Sequence, residues 1–155
     1  MTIERALHLL TEVGNTNTQL ILIVGSRGAG KSAFLRECSL KLGIQHRNVS
    51  YELSRQLGFA SCSERSFLVG DMLRDLAEKN GRNIPLLLDN LELLFEPSLK
   101  ISPLDLLKRL SHSRPILAVW PGLLQGENLT YADMTHPEYR NYSLDGITIL
   151  KIKNS

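Results

Sequence analysis

The sequence predicts an α/β fold of three layers, a mostly parallel five-stranded sheet with helices on both faces. Three observations predict it. Short continuous apolar runs recur along the chain, each too short for a helix and too apolar for a strand with one wet face. Amphipathic stretches of helical period alternate with them. Glycine, proline, asparagine and serine punctuate the changeovers. The chain of 155 residues is expected to be a single domain, residues 1–155.

The elements follow in order. In "MTIERALHLLTEVGN", Ile3, Ala6, Leu7, Leu10 and Val13 recur at helical spacing. Residues 1–14 therefore read as an amphipathic helix packed on the domain, not a targeting segment. "LILIV", Leu20 to Val24, is a strand covered on both faces. Residues from about Ser32 to Leu42 read as a helix, with Ala33, Phe34, Leu35, Cys38 and Leu42 on its apolar side and Gly43 as its stop. "NVSYEL" alternates and reads as a short strand, and "GFASCS" as a loop. A helix through "FLVGDMLRDLAEKNG" would be capped by Ser63 or Ser66 and end at Gly81. "IPLLLDN" is a second buried strand, followed by a loop through Pro97 and Ser98. "SPLDLLKRLSHS" is a short helix with Ser102 as its cap and Pro103 in its first turn. "RPILAVW" is a third buried strand, ended by Pro121-Gly122, and "ITILKI" is the last. Residues 123–145 show no usable period and read as irregular.

Composition removes several function classes. Formal net charge is +2, so no strong field commits the chain to nucleic acid. The basic residues Arg36, Lys41, Arg47, Lys108, Arg109, Lys151 and Lys153 are interspersed with acids, which reads as a solvated surface. Cys38 and Cys62 form no CxxC pair, and four scattered histidines give no zinc spacing. The apolar run before the first glycine loop has five residues, against about 20 for a membrane span. A soluble, cytoplasmic protein with no membrane partner is expected.

The chemistry concentrates after the first strand. Gly25-Ser26-Arg27-Gly28-Ala29-Gly30-Lys31-Ser32 fits GxxxxGK[ST], the phosphate loop, and lies between a buried strand and a helix as that loop requires. Its glycines let successive amides turn inward toward phosphate oxygens, and the following helix, from Lys31 through Ser32 and Ala33, adds its positive end. Lys31 is the mobile cation for the β- and γ-phosphates, and Ser32 offers a hydroxyl to Mg²⁺. Read otherwise, the stretch is a glycine-rich turn with a surface lysine. Asp89 closes the apolar strand "PLLLD" at its carboxyl end, where parallel sheets bind ligands, and is the second candidate for Mg²⁺. Asn90 follows, where many P-loop ATPases carry a glutamate base. An amide takes no proton, so turnover is expected to be slow. Glu92 would serve if the strand end turns sharply, and is otherwise a solvated acid. No NKxD guanine signal occurs, so ATP is the expected nucleotide. Trp120 reads as core, with a docking surface as the alternative.

The phosphate loop, "LLLDNLELLF", "ILAVWPG" and "LTYADMTHPEYRNY" together resemble the BrxF family, small P-loop proteins of type 3 BREX phage-defence systems in bacteria. The motif order also resembles the AAA+ core. The resemblance implies a P-loop NTPase that binds ATP and Mg²⁺ inside a multiprotein defence complex, as a slow ATPase or a nucleotide-dependent assembly switch. It implies a homo-oligomer in nucleotide, with Arg140 near the place where AAA+ proteins carry a trans-acting arginine. The sequence ends soon after "ITILKI", so the helical lid of AAA+ proteins is expected to be absent. Two other classes remain: a nucleic-acid-binding module contacting DNA, with a degenerate nucleotide site, and a small-molecule kinase.

Overall fold

The computed structural model describes residues 3–13, 18–26, 28–57, 62–79, 81, 84–96, 99, 101–125, 128–131, 140–143 and 147–152. A five-stranded sheet forms the centre. Its strands are β1 (Leu20–Val24), β2 (Arg47–Asn48), β3 (Leu86–Asp89), β4 (Ile116–Val119) and, last in the chain, β8 (Thr148–Lys151). The order across the sheet is β2-β3-β4-β1-β8, and every neighbouring pair is parallel. All carboxyl ends therefore share one edge.

β1 is central, which explains its unbroken apolar run. Leu20, Leu22 and Val24 face one helical layer, and Ile21 and Ile23 face the other. On the first side pack helices α3 (Val49–Leu57), α4 (Cys62–Lys79) and α5 (Pro103–Leu110). On the second side pack α1 (Ile3–Val13) and α2 (Lys31–Leu42), through Ala6, Leu9, Leu10, Leu35 and Cys38. With no exposure on either face, a Leu22→Ala change would cost about 2–5 kcal/mol. Burial also pushes the Cys38 thiol up to about 11, which keeps it unreactive near neutral pH.

Several expectations need correction. "NVSYEL" is not a strand: the strand is only Arg47–Asn48, and α3 begins at Val49. Val49 and Leu53 are both fully buried, one helical turn apart, and Asn48 Oδ1 accepts the Tyr51 amide at 3.0 Å in the manner of a helix cap. Tertiary burial thus outweighs the local alternation. α4 begins at Cys62, so Ser63 and Ser66 lie within the helix rather than before it. Ser102 occupies the cap position of α5, but its hydroxyl makes no capping bond; its carbonyl takes the Leu106 amide instead. On α2, Ala33 is exposed, and the buried residues are Leu35 and Cys38.

Residues 123–145 are the largest correction. They contain a second, antiparallel sheet of β5 (Leu123–Gln125), β6 (Asn128–Tyr131) and β7 (Arg140–Ser143), with β6 in the middle. It is pinned to the main sheet through Trp120, whose indole Nε1 donates to the Thr130 carbonyl at 2.9 Å. A side chain at Gly122 would meet that carbonyl oxygen at 1.5 Å, so only glycine fits there. Phe95 continues the contact. Its ring meets Trp120 edge-on, centroids 5.3 Å apart, and stacks on Tyr131 at 4.0 Å. Trp120 is fully buried, which decides between core and docking surface in favour of core.

No helical lid occurs among the described residues, whose last element is β8. No described helix is long and apolar enough to cross a membrane.

Candidate phosphate-binding site

The loop from Gly25 leaves β1 at the carboxyl edge of the sheet and enters α2 at Lys31. Its conformation explains its glycines. Gly28 has φ 82° and Gly30 has φ 91°, both in the left-handed region that other residues enter at a cost. Gly25 is a glycine for a different reason: a Cβ there would lie 2.7 Å from the Ile152 carbonyl oxygen, at the end of β8. A Cβ built on Gly28 or Gly30 would meet nothing beyond its chain neighbours within 4 Å, so the left-handed backbone and not crowding is what calls for glycine there. Arg27 lies outside the described residues.

Gly30 stands at the N-cap of α2 without a side-chain cap, and its carbonyl takes the Phe34 amide at 2.9 Å. The first amides of α2 thus lack a side-chain cap and suit an anion. Lys31 is half-buried. Its Nζ donates to the Trp120 carbonyl oxygen, 2.9 Å away at the end of β4. Burial of the ammonium holds it below the ordinary lysine value, while the charges of Glu92 and Asp89 oppose that shift.

Ser32 and Asp89 come together although 57 positions separate them. The Ser32 hydroxyl donates to Asp89 Oδ1 at 3.0 Å. The same carboxylate oxygen accepts the Asn90 amide at 2.8 Å, which fixes its rotamer. Among the described residues no cluster of three or more histidine, cysteine, aspartate or glutamate side chains suits a metal. A single carboxylate and a hydroxyl suit Mg²⁺, which takes few protein ligands and completes its shell with water and phosphate oxygens.

Asn90 is structurally committed. It has φ 55°, a conformation that asparagine tolerates better than most residues. Its carbonyl accepts both the amide of Ser50, at 2.9 Å, and its hydroxyl, at 2.7 Å. Its side-chain Nδ2 donates to Asn48 Oδ1 at 3.0 Å. The Ser50 hydroxyl in turn accepts the Leu93 amide at 3.0 Å. Asn48 and Ser50 are site-shaping residues that the strand reading of "NVSYEL" hid; asparagine immediately before a Val49/Leu53 helical pair was the available signal.

Two residues after Asn90, Glu92 opens a 3-10 helix, Glu92–Phe95, close enough for its charge to act on Lys31. Glu92 itself is exposed. Arg140 begins β7, the element that precedes β8 in the chain, and its backbone pairs with Tyr131.

No protein-family model matches the chain. No curated protein matches it either. Solved structures do. The structure of PCH-2 from C. elegans is similar over 99% of this chain and 42% of its own, at 19% identity and TM-score 0.53. That of Drosophila ORC bound to DNA is similar over 98% of this chain and 42% of its own, at 18% identity and TM-score 0.49. At such identity the likeness concerns the fold alone, and the chain spans well under half of either structure. The fold is the α/β fold that the sequence predicts, a parallel five-stranded sheet with helices on both faces.

Proposed function

We propose that the chain binds ATP with Mg²⁺ through Gly25–Ala33 and Asp89, and uses it as a slow ATPase or assembly switch in a multiprotein bacterial phage-defence complex of the type 3 BREX kind. The observation that carries the nucleotide reading is the Ser32–Asp89 hydrogen bond, 3.0 Å long, beside a loop with glycines Gly28 and Gly30 in the left-handed region. In this reading the loop amides and Lys31 hold the phosphates, and Ser32 and Asp89 hold the metal ion. The ion would supply charge neutralisation across the phosphate oxygens. Residues 1–155 act as one nucleotide-binding unit, in the cytoplasm.

Slow turnover follows from Asn90. Its amide side chain cannot accept a proton, and its donor is already engaged by Asn48. Glu92, whose charge reaches Lys31, is the candidate base. Arg140 is the candidate arginine supplied to a neighbouring copy in a nucleotide-bound oligomer. Partners are the other components of the complex, with DNA as a further candidate.

Titration calorimetry with ATP and Mg²⁺ tests the reading. Wild type is expected to bind, and Asp89→Ala to lose most of the Mg²⁺ dependence. Absence of ATP heat in the wild type would remove the reading. For the shared site, Arg140→Ala mixed with Lys31→Ala is expected to recover hydrolysis that neither variant has alone.

A further inference from the structure

Trp120 touches three parts of the molecule by three different groups. Its amide donates to the Ile23 carbonyl of β1 at 2.9 Å. Its indole donates to Thr130 of β6 at 2.9 Å. Its carbonyl takes the ammonium of Lys31 at 2.9 Å. The residue therefore joins the phosphate loop, the main sheet and the antiparallel ribbon β5–β7 at one point. Beyond it the chain turns at Pro121-Gly122, with Gly122 pressed against the Thr130 carbonyl.

We propose that the Lys31–Trp120 bond is a latch, which a nucleoside triphosphate opens, and whose opening loosens the ribbon from the main sheet. This rests on the nucleotide reading above. The chemistry is a competition between acceptors. A phosphate oxygen is charged and forms the stronger bond to an ammonium than a neutral carbonyl does, so its arrival draws Lys31 away. Once released, the turn at Trp120 keeps its sheet bond through the amide but loses its tie to the loop. Space for movement exists: a cavity of about 350 Å³ lies between Gly25-Ser26 of the loop and Leu123-Leu124 of β5. β6 pairs with β7 at Tyr131 and Arg140, so a shift of β6 carries the Arg140 backbone with it. Occupancy of the loop is thereby converted into the position of a distant strand.

Hydrogen exchange and fluorescence test this together, since Trp120 is the only tryptophan in the chain. Three samples are compared: wild type, wild type with ATP and Mg²⁺, and Lys31→Met without nucleotide. Lys31→Met keeps the apolar stem and removes the ammonium. Amides of Leu123–Tyr131 are expected to exchange roughly tenfold faster in the second and third samples than in the first, the effect of losing a bond to a charged donor. Their Trp120 emission is expected to change in the same sense. Unchanged exchange in Lys31→Met overturns the latch, as does unchanged exchange in wild type that calorimetry shows to hold ATP. A wild type that gives no ATP heat counts against the nucleotide reading, and the nucleotide-free comparison of Lys31→Met with wild type then decides the latch alone.

Discussion

Two clusters flank the carboxyl end of β3, and they are built in opposite ways. On the loop side, Lys31 and Ser32 each make one bond, to the Trp120 carbonyl and the Asp89 carboxylate. In the nucleotide reading, each of these partners is one that a phosphate or a metal ion replaces. On the α3 side, Asn48, Ser50, Asn90 and the Leu93 amide share a closed set of bonds. Nothing there is free to change partner without breaking another bond. In the reading proposed above, the difference assigns ligand exchange to the loop side and makes the α3 side scaffold. Asn90 is therefore better explained by the turn it makes than by chemistry it performs.

The largest expected effect breaks the loop side. Lys31→Ala is predicted to weaken ATP binding about 100-fold, the scale of losing a bond between two charged groups, with the fold intact. Calorimetry gives the affinity, and a denaturation midpoint gives the fold. If the two sides are as different as their bonding, Ser50→Ala does the reverse. It removes a donor to Asn90 and the acceptor of the Leu93 amide. Stability is predicted to fall by about 1–2 kcal/mol in urea, with ATP affinity within twofold of wild type. A Ser50→Ala protein that keeps its stability but loses ATP binding would reverse the comparison.

Asn90 sharpens it further. Glutamate at φ 55° pays for a left-handed backbone and loses the bond to Asn48, so Asn90→Glu is predicted to cost about 1 kcal/mol. Asn90→Gly relieves the backbone term while losing the same side-chain bond, and is predicted to cost less. Equal losses in the two variants would show that the side chain, not the backbone, is what the position selects.

The loop side was the more legible from sequence for a physical reason. Its requirements are local: glycines where φ is left-handed, a lysine and a hydroxyl in register with a helix start, an acid at a strand end. Such requirements leave a contiguous pattern. The main sheet was legible too, because β1, β3 and β4 are buried on both faces and cannot alternate. The α3 start was misread because Val49, Tyr51 and Leu53 imitate a strand, while the burial that selects the helix comes from α4 and the core. The ribbon was illegible because its determinants are remote. Leu123 and Leu124 are adjacent, one exposed and one partly buried, which fits no period. Thr130 is fixed by the indole of Trp120 and the absence of a side chain at Gly122, neither of which belongs to its own strand.

The smallest predicted effect is a pH dependence, and its sign separates the two sides most cleanly. Lys31 is lowered from 10.5 by burial, against the raising influence of Glu92 and Asp89. Phosphate binding needs the protonated ammonium. ATP affinity is therefore predicted to fall as pH rises through the lowered value, with the loss setting in below 10.5. Stability moves the other way. Between the lowered folded value and the unfolded value of 10.5, the unfolded chain holds more protons on this group, so the Lys31 contribution to stability rises with pH. Below that window both states are charged and the burial penalty is fully present. Alkaline loss of affinity through general unfolding would instead lower both quantities together. Glu92→Gln removes a charge that holds the ammonium protonated, so it is predicted to move the affinity limb to lower pH, while Ser50→Ala leaves the limb in place. Calorimetry and urea midpoints at matched pH values distinguish these outcomes. A limb that shifts in Ser50→Ala and stays fixed in Glu92→Gln would mean that the α3 side, not the loop side, sets the charge of Lys31.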